Sequence, residues 1–301
     1  MTASRYGILV LLSLFLDGGR LIAQSTPPNE GLSSRQLKAL ELLTAMDTTQ
    51  GSSYWPHIRP GEFFLNVREN IVYPEKIYQG HYTNFCGYAA LSVILCREQP
   101  DSYTRSILEL YARGETTLNG ARIRPSDAIR SAAGNLQGKG KLNLNPADQL
   151  WLLCMPETYK GYMNLDRRYQ RGDENKSWAI CTIGKFNRMV RTLVDADVAS
   201  WGSDLVRPSG RADVSFMREQ LSRGHLVLYV NSKYLHPSKF RIFVLRAPTH
   251  YIILYDIAEE NGVVTVKYWD YGLKTVELMN PKRLKKMTFG IIRITPRQEP
   301  S

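Results

Sequence analysis

Apolar positions recur with a helical spacing along the first two thirds of this chain and with a two-residue alternation along the last third. Leu37, Leu40 and Leu43 recur every three residues. They predict a helix over about 35–46, capped from the Ser33-Ser34 pair. Residues 50–60 read as loop, 63–67 as a short strand, and 73–82 as an irregular approach to a helix that begins at Cys86. That helix should end near Arg97, before Pro100. Asp101 or Ser102 starts the next, through Ile107, Leu108 and Tyr111 to Gly114. Pro125-Ser126-Asp127 begins another, ending near Gly134. Asn145-Pro146 is a cap followed by proline, the usual opening of a helix, here carrying Leu150, Leu152 and Leu153. Residues 159–177 are polar and aromatic and read as an exposed loop. Phe186, Met189, Val190 and Leu193 have helical spacing, and Asp213 opens a helix that Gly224 stops.

From Leu226 the period shortens. Stretches 226–230, 242–245, 251–257, 263–269, 275–278 and 289–294 read as strands. Asn231-Ser232, Ala247-Pro248, Glu260-Asn261-Gly262 and Tyr271-Gly272 punctuate them. Helices followed by antiparallel strands give an α+β fold class. No internal repeat or low-complexity tract interrupts the chain.

Composition narrows the picture. The 301 residues are 43% hydrophobic and 22% charged, those of a soluble globular protein, with a formal charge of +11. That charge favours anionic surroundings. The basic residues are scattered apart from Lys282, Arg283, Lys285 and Lys286, which read as a solvated helix face. No nucleic-acid module is present, so nucleic acid is not an expected partner. At the N-terminus, Arg5 precedes an apolar run to Leu16, and Leu21-Ile22-Ala23 follows. The run is too short to span a membrane and has the shape of a signal peptide, with cleavage after Ala23. The expected organisation is signal peptide 1–23, an N-terminal extension 24–78 (propeptide or packing segment), and a main domain 79–301 with a helical insertion at about 97–212. The expected location is periplasmic or secreted, with no stable membrane span after removal of 1–23. Export permits disulfides among the four cysteines, and Cys154 with Cys181 is the expected pair. No CxxC, HxxxH or HExxH spacing is present, so no metal and no cofactor are expected.

The chemistry gathers around Asn84-Phe85-Cys86-Gly87-Tyr88-Ala89-Ala90. The stretch sets a cysteine on the first turn of an apolar helix, where unpaired N–H groups and the helix dipole stabilise a thiolate. His250 opens a strand and Asp270 closes the next. A five-residue loop over 258–262, pairing Ile257 with Val263, sets His250 directly opposite Asp270, close enough to hydrogen-bond. A two-residue turn on Asn261-Gly262 would instead bring Leu273 opposite His250. Taken singly, each residue has an ordinary reading: a small buried thiol, a rim histidine, a turn-forming aspartate. Helix-borne Cys, strand-borne His and an acid across a hairpin are together the order that thiol catalysis requires.

With the segments Gly224-His225-Leu226, His250-Tyr251-Ile252-Ile253-Leu254-Tyr255-Asp256 and Asp270-Tyr271-Gly272, the Cys86 stretch resembles papain-like cysteine peptidases, closest to the double-glycine, bacteriocin-processing branch. The resemblance covers the Cys86 helix and roughly 213–294. It implies a nucleophile helix packed on a C-terminal antiparallel sheet, Cys86 as nucleophile, His250 as general base and then acid, and Asp270 as the orienting residue. The family's oxyanion glutamine has its counterpart in Gln79, seven residues upstream and one more than usual; Asn84 is the alternative. His225 and His81 are rival histidines, ranked below His250. The implied activity is an exported cysteine peptidase or amidase acting on a peptide or protein. A cell-wall peptide hydrolase and a toxin-like effector use the same chemistry, although Phe85-Cys86-Gly87 lacks the Asp-Cys-Ser start of NlpC-type wall hydrolases. A catalytically inactive binding module is the remaining alternative, and the 97–212 insertion is the expected partner surface.

Overall fold

The structure is a computed structural model that describes residues 31–80, 82–136, 144–235 and 247–297. The signal-peptide segment 1–23, His81 and the expected strand at 242–245 lie outside these residues. From Ser33 onward the chain belongs to one compact unit. Among the described residues the fold is mixed α+β, with nine α-helices and a six-stranded antiparallel sheet.

Helix α1 (Ser34–Thr44) opens with the reciprocal bonds of a capping box: the Gln36 N–H donates to Ser33 Oγ and the Ser33 N–H to Gln36 Oε1. Residues Pro60–Val72 form α2, not the short strand expected at 63–67. Pro60 presets the first turn. Phe63, Val67 and Ile71 then fall at four-residue intervals and are all buried, whereas Leu65 is exposed. The aromatic and branched residues that favour a strand locally serve a helical face here. There follow α3 (Cys86–Glu98), α4 (Pro100–Arg113), a small hairpin of β1 (Thr116–Leu118) and β2 (Ala121–Ile123), α5 (Asp127–Ala132), α6 (Pro146–Thr158) and α7 (Ile183–Met189), which runs on into a π turn at Val190–Val194. Residues 159–177 are largely irregular and partly exposed as expected, but Asn164, Tyr169, Asp173 and Glu174 are buried and anchor the loop.

Strand β3 (Ala196–Gly202) was not apparent from the sequence. It lies next to the C-terminal strand, so the 97–212 stretch contributes to the main sheet. Helix α8 (Val214–Leu221) is capped by Asp213. The remaining elements are β4 (His225–Val230), β5 (His250–Glu260), β6 (Val263–Asp270), β7 (Leu273–Met279), α9 (Pro281–Met287) and β8 (Thr288–Pro296). The strand order is β3-β8-β4-β5-β6-β7. One face of the sheet buries Val227, Tyr229, Tyr251, Ile253 and Trp269 with α3 and the other N-terminal helices. The opposite face buries Leu226, Leu228, Ile252, Leu254 and Ile257 with Met217 of α8 and Leu284 and Met287 of α9. Among the described residues no helix is long and apolar enough to cross a membrane.

The β5–β6 hairpin corrects the expected register. Glu260 pairs with Val263 across a two-residue turn in which Asn261 and Gly262 both have positive φ, so the five-residue loop does not form. That turn alone would leave His250 and Asp270 three positions out of register, on opposite faces. A bulge at Tyr255 removes one position: Asp256 pairs with Lys267, but Leu254 pairs with Tyr268 and Ile253 with Trp269. Carried on through the strand ends, this register leaves the two residues two positions apart and on one side, a diagonal that a histidine spans.

Candidate active site

Cys86 is the first residue of α3. Phe85, in the capping position, makes no side-chain hydrogen bond to the helix, and the first turn carries no acidic residue. The positive end of the helix is therefore left without a side-chain acceptor at the cysteine. The approach to it is tied down from several sides. The Thr83 hydroxyl donates to the Gln79 carbonyl and accepts from the Phe85 N–H. The Asn84 N–H donates to the Glu174 carbonyl at 2.7 Å, and its side-chain amide to the Lys176 carbonyl at 3.0 Å. Gly87 is required by contact. A Cβ there would lie 2.8 Å from both Cβ and Sγ of Cys181 and 3.1 Å from the Tyr251 ring. Only a residue without a side chain lets α3 seat this deeply.

His250 begins β5 and is buried. Its Nε2 is 2.5 Å from Oδ1 of Asp270, also buried, at the end of β6. The other ring nitrogen is thereby left for the Cys86 sulfur, which lies within hydrogen-bonding reach of the histidine side chain and 3.8 Å from the Thr249 carbonyl oxygen. Burial works against a charged imidazole here. The Asp270 charge and hydrogen bond, with the Cys86 sulfur, outweigh it and push the His250 pKa up to about 10. The structure thus brings Cys86, His250 and Asp270 together, although the histidine and the acid are diagonal rather than directly opposed.

The turn after Asp270 completes the surroundings. Tyr271 (φ +49°) and Gly272 (φ +78°) join β6 to β7, and the Tyr271 ring stacks on the His250 ring at 5.1 Å and 17°. Gly272 sits against the carbonyls of Lys76 and Ile77, and the Trp269 indole donates to the Glu75 carbonyl at 2.8 Å. The acid-bearing turn is in this way fastened to the segment that leads to Gln79. Gln79 is buried, and its Oε1 has no hydrogen-bond partner among the described residues. Asn84 lines the cavity beside Cys86. His225 stands apart, half-buried and bonded to Glu98 at 2.6 Å.

A cavity of roughly 100 Å³ opens beside Cys86, walled by Asn84, Ile180, Cys181, Tyr229, Pro248, Thr249 and Tyr251. Tyr229, Tyr251 and Phe186 stack at 4.2 and 4.9 Å, which makes that wall stiff. Behind it the buried Lys185 ammonium donates to the Ile180 carbonyl and to Asn164 Oδ1, each at 3.0 Å, and to the Tyr88 hydroxyl at 3.3 Å. Burial pushes its pKa down to about 8, with Arg188 and Lys160 adding to the shift and Cys181 opposing it. All four cysteines are unbridged, so the expected Cys154–Cys181 disulfide is absent. Cys154 lies within α6 while Cys181 packs against α3 at Gly87. A larger groove of about 1040 Å³ around His57, Arg59 and Gln149 contains none of Cys86, His250 and Asp270.

Sequence reasoning gave Tyr271 only a turn role and Cys181 only a bridge to Cys154, and it did not reach the tyrosine wall. An aromatic residue at a turn position that favours Gly or Asn was the available signal for Tyr271. Nothing in the sequence ties Cys181 to Cys86. No protein-family model, no curated protein and no solved structure matches the chain.

Proposed function

We propose that this protein is an exported papain-like cysteine hydrolase that cleaves an amide bond through Cys86, His250 and Asp270. The observation that carries this reading is the meeting of a buried cysteine, at a helix start that no side chain caps, with a histidine bonded to a buried aspartate. A helix packed on one face of an antiparallel sheet, with the histidine at a strand start, supports the papain-like part of it. In this mechanism Asp270 holds Nε2 of His250, and the imidazolium stabilises the Cys86 thiolate. The thiolate adds to the substrate carbonyl carbon. The charge on the carbonyl oxygen is met by the N–H groups of the α3 first turn, with the Gln79 amide as the side-chain donor and Asn84 as the alternative. His250 gives its proton to the departing amine, leaving a thioester on Cys86. It then takes a proton from water, whose oxygen attacks the thioester and frees the acid.

The test is the rate of iodoacetamide alkylation at each cysteine against pH, located by peptide mass spectrometry, in wild type and His250→Ala. Cys86 should react at least tenfold faster than Cys96 and Cys154 at pH 6, and the substitution should remove the difference. A Cys86 no faster than the other cysteines in the wild type sinks the proposal. With Cys86 activated, a screen of denatured proteins against purified peptidoglycan separates the peptidase from the wall hydrolase.

A further inference from the structure

We propose that Cys86 and Cys181 are partners in a reversible disulfide formed by hydrogen peroxide, so that the cavity beside the nucleophile is also a redox modification site. This rests on the reading of Cys86 as an activated thiolate. Cys86 and Cys181 both line the same cavity, of roughly 100 Å³. A disulfide joins Cα atoms about 4.4–6.8 Å apart, and the Cα of Cys86 lies one residue, about 3.8 Å, from that of Gly87. Cys181 also touches the backbone of Gly87, the residue next to Cys86, closely enough that a Cβ there would strike both its side-chain atoms at 2.8 Å. The other two cysteines lie elsewhere: Cys96 in the last turns of α3 and Cys154 in α6, both fully buried, and neither lines the cavity.

Hydrogen peroxide is the oxidant. The cavity admits hydrogen peroxide, a molecule little larger than water. The Cys86 thiolate attacks one peroxide oxygen. The O–O bond breaks, and the hydroxide that leaves takes the His250 proton and becomes water. Cys86 is left as a sulfenic acid. The Cys181 sulfur then attacks the Cys86 sulfur. The S–S bond forms, the S–O bond breaks, and the departing hydroxyl takes the proton lost by Cys181, again as water. Two thiols lose two electrons and one peroxide yields two waters. Burial holds the Cys181 thiol well above its ordinary pKa, so it attacks as it loses its proton; the Lys185 ammonium, which also holds the carbonyl of Ile180 next to Cys181, offsets part of that burial. The disulfide silences the nucleophile and spares it from irreversible oxidation, and a small thiol restores it.

The experiment treats reduced wild type, Cys181→Ser and Cys181→Ala with a few equivalents of hydrogen peroxide, blocks free thiols, and maps the cysteines by mass spectrometry without reduction. Wild type should yield a Cys86–Cys181 cross-linked peptide. Its Cys86 alkylation rate should fall more than tenfold and return after dithiothreitol. The variants should carry sulfinic acid on Cys86 that dithiothreitol does not reverse. If wild type instead carries sulfinic acid on Cys86 with Cys181 free, the proposal is overturned while the hydrolase reading stands, provided Cys86 of the untreated protein alkylates fast. A slow Cys86 in the untreated protein overturns both.

Discussion

Gly87→Ala separates the packing of the nucleophile helix from its chemistry. The added methyl would sit 2.8 Å from Cβ and Sγ of Cys181 and 3.1 Å from the Tyr251 ring. Ordinary contact begins near 3.4 Å, so something must move by roughly 0.6 Å. The Cys181 Cβ is fixed to its backbone and cannot rotate away, and Tyr251 is held in a stack between Tyr229 and Phe186. Overpacking of this kind costs about 1–3 kcal/mol. Alanine in place of glycine in a helix returns about 0.8–1 kcal/mol. The net loss is therefore about 1 kcal/mol, a fall in Tm of about 2–4 °C for a domain of this size. The effect on Cys86 is larger, because misplacing a reacting group by about 1 Å costs about 10²-fold in rate. The assay pairs thermal unfolding with the Cys86 alkylation rate in Gly87→Ala, Gly87→Ala/Cys181→Ala and Gly87→Ala/Cys181→Gly. Cys181→Ala leaves the Cβ in place and should rescue little. Cys181→Gly removes both clashing atoms and should restore the rate to within about threefold, with a coupling energy above about 1 kcal/mol. Equal rescue by the two variants, or an unaltered Cys86 rate in the single variant, would refute the contact as the reason for glycine.

Two further substitutions test groups the reaction does not consume. Asp148 is buried in α6, where burial raises its pKa to about 7 against the hydrogen bonds of Asn70, Asn66 and the Tyr78 backbone, with Glu69 adding to the rise. The unfolded chain releases this proton near pH 4 and the folded protein near pH 7, so stability falls as pH rises across that window and is level above it. The decline is at most about 4 kcal/mol, and Asp148→Asn should abolish it; urea midpoints at pH 5 and pH 8 measure this, and identical slopes in the two proteins would count against it. Tyr271→Asn replaces a strained left-handed tyrosine with a residue that tolerates positive φ, so Tm should hold or rise by about 1–2 °C. Loss of the ring over His250 should nonetheless lower the imidazole pKa by about one unit in an NMR titration, since the aromatic face favours the cation; an unmoved titration would reduce Tyr271 to a turn residue.

Much of the fold was legible because the signals were local. Ser33, Asp213 and Asn280 cap helices through their own side chains, Asn145-Pro146 opens α6, and Gly114 takes the left-handed conformation that ends α4. The strands around β5 were legible as short runs of branched and aromatic residues between turn signals, β4 and the start of β5 being buried at nearly every position. The failures were non-local or ambiguous. In α2, three strand-favouring residues among five, Phe63, Phe64 and Val67, concealed a four-residue spacing that only burial against α6 and the neighbouring helices makes decisive. Strand β3 has a weak alternation in which the neighbours Val198 and Ala199 are both only half-buried, and it exists because β8 offers it a ladder.

The site turned on a single residue of register. Plain alternation from Ile252 and Leu254 assigns Asp256 to the core and Ile257 to solvent, whereas Ile257 is buried with Leu254 and Asp256 is exposed. A charged residue at a position reserved for the core, followed at once by an apolar one, is the mark of an inserted residue. It was present in the sequence beside the His250 strand. Taken together with the Asn261-Gly262 turn it yields the observed geometry: the turn fixes Glu260 opposite Val263, the bulge at Tyr255 subtracts one position, and His250 and Asp270 return to the same side. Neither device alone suffices. The two-residue turn without the bulge puts the acid on the wrong face, and a bulge without that turn leaves the pairing unanchored. The hydrogen bond between His250 and Asp270 therefore depends on a backbone irregularity five residues from the histidine.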